Sequence, residues 1–239
     1  MVYVRKAKKS RPRKRPSGVR KRTYSRKRTM FRPQSLLRVG FPKTTMVKLR
    51  YVDGFELNPG ISTLATHNFR ANSCFDPDLT GIGHQPMNFD LWSQLYNHYT
   101  VVGAKITARL FDNALSHSTG LVFGISLSDD STFTTDVSTM MEQALARYTM
   151  GNAAKTDNAG RGLVARKGFS CKKFFNITNP MDNTSRIGAN IVSNPTELAH
   201  FIVFLGAPPG SIVDFGAHTV VINIDYVVVF SEPKEQVQS

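Results

Sequence analysis

The stretch Val220-Val221-Ile222-Asn223-Ile224-Asp225-Tyr226-Val227-Val228-Val229-Phe230 is the most apolar part of the chain, broken only by Asn223 and Asp225. Val220, Ile222, Ile224, Tyr226, Val228 and Phe230 fall at every second position. Successive side chains of a strand point to opposite faces of its sheet, so this spacing predicts a strand with one buried face. The run is also far shorter than the ~20 residues a membrane-spanning helix needs.

The same texture appears elsewhere. Val47, Leu49 and Tyr51 share one face against Lys48 and Arg50, and Asp53-Gly54 then predicts a turn. Ile106, Ala108 and Leu110 alternate with Lys105, Thr107 and Arg109. Leu121, Phe123, Ile125 and Leu127 line up across Val122, Gly124 and Ser126. Phe201, Val203 and Leu205 face away from His200, Ile202 and Phe204, giving a strand apolar on both sides. Arg166 to Phe175 is a noisier strand candidate. One connection departs from this pattern: in Asn88 to Tyr99, Phe89, Trp92, Leu95, Tyr96 and Tyr99 share a helical face, with Asn88 at the N-cap and Asp90 in the first turn. Met140 to Arg147 is a weaker helix. Strands joined by long Asn-, Asp-, Gly- and Pro-rich loops, with few helices, point to an all-β antiparallel sandwich rather than βαβ units. A barrel or a mixed α+β domain is the alternative. Two such sheets linked by Greek-key crossings make a jelly roll.

Charge divides the chain. Residues 1–50 carry 19 Lys or Arg and no acid, whereas residues 51–239 carry 12 basic and 17 acidic residues, a balance of −5. The expected division is a basic arm over residues 1–43 and a shell domain over 44–239. The arm holds Arg5, Lys6, Lys8, Lys9, Arg11, Arg13, Lys14, Arg15, Arg20, Lys21, Arg22, Arg26, Lys27, Arg28 and Arg32, interrupted by Pro12, Pro16 and Gly18. With no countercharge and little apolar surface it cannot offset the entropy of ordering, so it is expected to be disordered alone and to condense on a polyanion. Its contacts would go mainly to phosphates and weaken with salt. The same clusters match a nuclear-import signal. The body shows no basic stripe of its own, whereas a groove-reading domain should place Lys and Arg on its folded face.

No chemistry is legible beyond this. GxSxG, GxGxxG, Walker and HExxH patterns are missing, and no cofactor is implied. Cys74 and Cys171 read as buried fillers. His67, His84, His98, His117, His200 and His218 lack ligand spacing and read as surface or interface residues. Asp76-Pro77-Asp78 reads as a turn before it reads as a cation site. Ser211, Asp214 and His218 are triad residue types with no sequence evidence of triad geometry. No apolar run follows the basic start, so neither a signal peptide nor membrane insertion is expected.

From Phe69 to Lys105 the chain carries Phe69-Arg70-Ala71-Asn72-Ser73-Cys74-Phe75-Asp76-Pro77-Asp78, then Gly83-His84-Gln85-Pro86, then Trp92-Ser93-Gln94-Leu95-Tyr96-Asn97-His98-Tyr99-Thr100-Val101-Val102-Gly103-Ala104-Lys105. Together with the basic start, this resembles the capsid proteins of small circular single-stranded DNA viruses, the circovirus-like, Rep-encoding group. The arm here has more Lys than the nearly all-Arg circovirus arm. The resemblance implies one jelly roll per subunit, a sixty-subunit T=1 shell of the chain with itself, and arms on a single-stranded DNA genome. It also implies entry to the host nucleus through an import receptor, and a coat without catalytic residues. The coat of a small single-stranded RNA virus and a non-viral nucleic-acid packager are the alternatives.

Overall fold

The computed structural model describes residues 41–235, apart from 62, 113–119, 133 and 153–161. Its central strand is the stretch quoted first. Strand β9, His218–Pro233, pairs antiparallel on one side with β1, Thr44–Leu57, and on the other with β3, Tyr96–Asp112. All six residues of the predicted stripe are buried, and Asn223 and Asp225 lie opposite, partly exposed. The turn expected at Asp53-Gly54 does not form. Pairing with β9 continues through Asp53↔Ile222 and Gly54↔Val221 to Leu57↔His218, and fourteen residues of ladder outweigh the local preference. Asp53 instead accepts hydrogen bonds from the Tyr51 hydroxyl (2.7 Å) and the Gly54 amide (2.8 Å).

The other strands are β2 (Leu64–Arg70), β4 (Leu121–Ser128), β5 (Arg147–Gly151), β6 (Leu163–Ser170), the short β7 (Gly188–Asn190) and β8 (His200–Gly206). One sheet has the order β1-β9-β3-β6, with β7 also on β3; the other has the order β2-β8-β4-β5. With β7 set aside, the eight remaining strands pair first with last: β1 with β9, β2 with β8, β3 with β6 and β4 with β5, all antiparallel. A long hairpin folded over in this way into two facing sheets is a jelly roll.

Tyr51, Phe69, Phe123, Phe201, Ile222 and Tyr226 are among the fully buried side chains between the sheets. The second sheet is also covered on its outer side. Helix α2, Val137–Glu142, sets Val137 and Met140 against Leu64, Val122, Ile202 and Phe204, which is why β4 and β8 are apolar on both faces. Asp136 caps α2, accepting from the Thr139 amide at 2.7 Å, and those bonds hold its carboxyl below the usual range. This helix lies a few residues before the predicted Met140–Arg147, because Arg147 is drawn into β5.

The helix expected over 88–99 is likewise shorter. Helix α1 spans Phe89–Leu95, and Tyr96 turns extended (φ −130°) to pair with Pro233 of β9. Asn88 occupies the N-cap position at φ 70° without a side-chain cap bond. Spacing of aromatics at three and four residues suits a helix, but here two of them, Tyr96 and Tyr99, belong to β3. All of them still converge: Phe230 stacks on Trp92 with centroids 5.7 Å apart and meets Phe89 at 6.0 Å and Tyr96 at 6.1 Å. The candidate over 166–175 is strand only to Ser170, after which Cys171–Phe174 forms the one-turn helix α3.

Buried Asn72 ties the segment after β2 to the start of β8. Its amide nitrogen donates to the Glu197 carbonyl (2.8 Å), and its carbonyl oxygen accepts from the Ala199 amide (2.9 Å). Asn72→Ala strips both partners at a buried site and is expected to cost about 1–3 kcal/mol, measurable by urea titration with an unchanged m-value. Asn72→Asp keeps the acceptor for the Ala199 amide but sets a buried carboxylate oxygen against the Glu197 carbonyl, so at neutral pH it should cost at least as much as the alanine variant.

Candidate nucleic-acid interface

The fifteen arm residues from Arg5 to Arg32 lie outside the described residues. Within the body, the register of the first sheet brings a second set of cations together. Residues on its outer face, away from the core, are those opposite the buried stripe. Reading across the sheet, Lys48 lies level with Val227 and Gly103. Arg50 lies level with Asp225, Lys105 and Gly168; Val52 with Asn223, Thr107 and Arg166; and Arg109 with Val221 and Val164. The face therefore presents Lys48, Arg50, Lys105, Arg109 and Arg166, all exposed, around Asp225, with Glu56 at the β9-start end. This corrects the expectation of a body without a basic stripe: residues 48, 50, 105, 109 and 166 are scattered in sequence and adjacent in the sheet.

Asp225 is saturated by its neighbours on β1. Arg50 donates to both carboxylate oxygens, at 2.7 and 3.3 Å, and Lys48 lies 3.0 Å from one of them. The Arg50 hydrogen bond is the main cause that holds the Asp225 carboxyl below its usual range, and Asp225 in turn raises the Arg50 guanidinium. These are surface pairs, worth little to stability. Lys105, Arg109 and Arg166 have no ion-pair partner among the described residues.

The remaining polar candidates serve the fold. Asp76 pairs with Arg70 at 2.7 Å, and Asp78 bonds His67 at 3.1 Å while accepting from the Thr80 amide. The acidic turn is thus consumed by its own neighbours, and among the described residues no group of three His, Cys, Asp or Glu is placed to hold a metal. Asp214 accepts from the Gly216 amide, Ser211 from the Val213 amide, and His218 Nδ1 lies 3.2 Å from the Gly216 carbonyl, so each bonds the backbone of its own loop. Both cysteines are buried and unpaired; burial pushes the Cys171 thiol up to about 11 and Cys74 well above its ordinary value, so neither offers a thiolate. Among the described residues no helix is long and apolar enough to cross a membrane.

Three histidines depart from the surface assignment: His200 and His218 are buried, and His67, partly buried, stacks on Phe55 at 4.2 Å. His84 is exposed as expected, His98 is partly exposed, and His117 lies outside the described residues. Burial, with Arg70 adding repulsion, lowers the His200 pKa. The unfolded chain then binds a proton at this site at higher pH than the folded chain does, so stability rises with pH there. His200 is expected to remove stability as pH falls below about 6.5, the unfolded value. Melting temperature followed from about pH 7.5 to 5 should drop less in His200→Leu than in wild type; parallel curves would assign the acid limb to other groups.

No family model and no curated protein matches this chain. Among solved structures, it is similar to Desmodium yellow mottle tymovirus (11% identity, 84% of this chain and 95% of that one, TM-score 0.42). It is also similar to the decameric BFDV capsid protein (14%, 78% and 99%, TM-score 0.43) and to Cocksfoot mottle virus (14%, 80% and 95%, TM-score 0.45). With TM-scores below 0.5 these likenesses have no weight for function, which rests on the chain's own strand order and charge.

Proposed function

We propose that this chain is the coat subunit of a small icosahedral virus, which self-assembles into a closed shell and packages nucleic acid through its basic arm. One combination carries the proposal: a jelly-roll body of mildly acidic balance preceded by residues 1–43, which are strongly basic and contain no acid. A jelly roll alone supports many functions; an acid-free arm of this density is suited to neutralising phosphate. Residues 1–43 are the nucleic-acid-binding and nuclear-import arm, and residues 44–239 the shell. Sixty copies in a T=1 arrangement, a single-stranded DNA cargo and entry to the host nucleus through an import receptor complete the reading, as the resemblance of the Phe69–Lys105 stretch suggests.

Closed point-group symmetry stops an assembly from growing indefinitely. Electron microscopy of the purified chain, with and without single-stranded DNA and over a range of ionic strength, is expected to show closed particles of one diameter. A stable monomer under every condition would overturn the coat reading. Digestion of the particles with DNase or RNase separates the cargo: protected material destroyed only by DNase after disassembly supports DNA, and RNase-sensitive material replaces it with an RNA genome.

A further inference from the structure

We propose that the outer face of the first sheet is a second, folded binding surface for single-stranded nucleic acid, with Lys105, Arg109 and Arg166 on phosphates and Phe111 as a base-stacking platform. The inference rests on the packaging function above and adds a site outside the arm. Lys105, Arg109 and Phe111 lie on one face of β3, and Arg166 lies on β6 opposite Thr107, midway between Lys105 and Arg109. Strand spacing of about 4.8 Å and a rise of about 3.3 Å per residue put each step of this zigzag at roughly 8 Å between Cα atoms. Long side chains reach well beyond that, so the three head groups can follow consecutive phosphates of an extended strand.

Three observations separate this face from an ordinary solvated one. First, the acid in its middle, Asp225, is already bonded to Lys48 and Arg50, and among the described residues Lys105, Arg109 and Arg166 have no ion-pair partner. Second, Thr107 and Gly168, which lie beside Lys105 and Arg166 on this face, are small, and a Cβ at Gly168 would meet nothing within 4 Å, which leaves these head groups open to a ligand. Third, Phe111 is 44% exposed beside Arg109, on a body that buries most of its aromatic rings. An exposed ring next to a cation suits an unpaired base over a phosphate, a pairing a duplex cannot offer because its bases are stacked on each other. On the outer face of the other sheet, α2 covers Leu64, Val122, Ile202 and Phe204.

The test uses the full-length chain and a single-stranded oligothymidylate long enough to span arm and body, with binding measured by anisotropy as a function of salt. Each phosphate contact on a single strand contributes about 0.7 to the slope of log affinity against log salt. Lys105→Ala/Arg109→Ala/Arg166→Ala is expected to lower the slope by about 2, while Lys105→Arg/Arg109→Lys/Arg166→Lys retains it. Arg147→Ala/Lys172→Ala/Lys173→Ala, which removes equal charge from other elements, should leave the slope unchanged. Phe111→Ala should weaken binding roughly fivefold or more at every salt without changing the slope. Melting curves confirm that each variant is folded. An unchanged slope in the face triple, or the same fall in both alanine triples, would overturn the site and leave the arm as the binding element. Loss of salt-dependent binding in the wild-type chain would instead sink the packaging function.

Discussion

A chain lacking residues 2–32 is expected to keep its β-sheet circular dichroism and lose almost all retention of single-stranded DNA. The deletion removes fifteen cations and no acid, whereas every described strand begins at or after Thr44. A protein engaging six to ten phosphates loses roughly 10³–10⁵-fold in affinity between about 50 and 200 mM salt. The full-length chain should show that steepness. The truncated chain should show a slope of about 2, the share of the three cations on the outer sheet face. Salt-titrated binding and circular dichroism of both chains decide the matter. Equal binding by the truncated chain would refute the arm as the binding element, and a lost β signal would refute the division between arm and shell.

The largest single-residue effect on stability is expected at Phe230. Its ring is fully buried at the end of the β9 stripe, where it packs against Phe89, Trp92 and Tyr96 and thereby fastens α1 to the first sheet. Truncation leaves a cavity that these rings, themselves held by β3 and α1, cannot close. Phe230→Ala should cost about 3–5 kcal/mol, which for a domain of this size lowers the melting temperature by roughly 6–20 °C. Phe230→Leu keeps most of the volume and should cost much less. Val52→Ala, on the exposed face of β1, is expected to change stability by no more than ~0.5 kcal/mol. Calorimetry of the three variants checks the order; a Phe230→Ala protein as stable as Val52→Ala would show that the aromatic cluster is not part of the cooperative core.

The strands were largely legible because one-sided burial writes a period of two into the residues. Val220 to Phe230 and Ile106 to Leu110 lie where their alternation put them, Leu121 to Leu127 is a strand buried on both faces, and His200 to Gly206 is apolar on both faces as expected. Local signals failed where long-range pairing opposed them. Asp53-Gly54 is a good turn dipeptide, yet it runs straight because β9 lies alongside, and the helix through Asn88 stops at Leu95 because Tyr96 is taken into β3.

By itself, the sequence determined the β class of the body and the contrast between an acid-free basic start and a mildly acidic remainder, since periodicity and charge need only near neighbours along the chain. Tertiary structure alone decided three things: the pairing of first strands with last, the burial of His200 and His218, and the gathering of Lys48, Arg50, Lys105, Arg109 and Arg166 on one face. Those five residues come from three strands more than a hundred positions apart at the extremes. Only the antiparallel register against β9 and β3, which no local pattern encodes, sets them side by side.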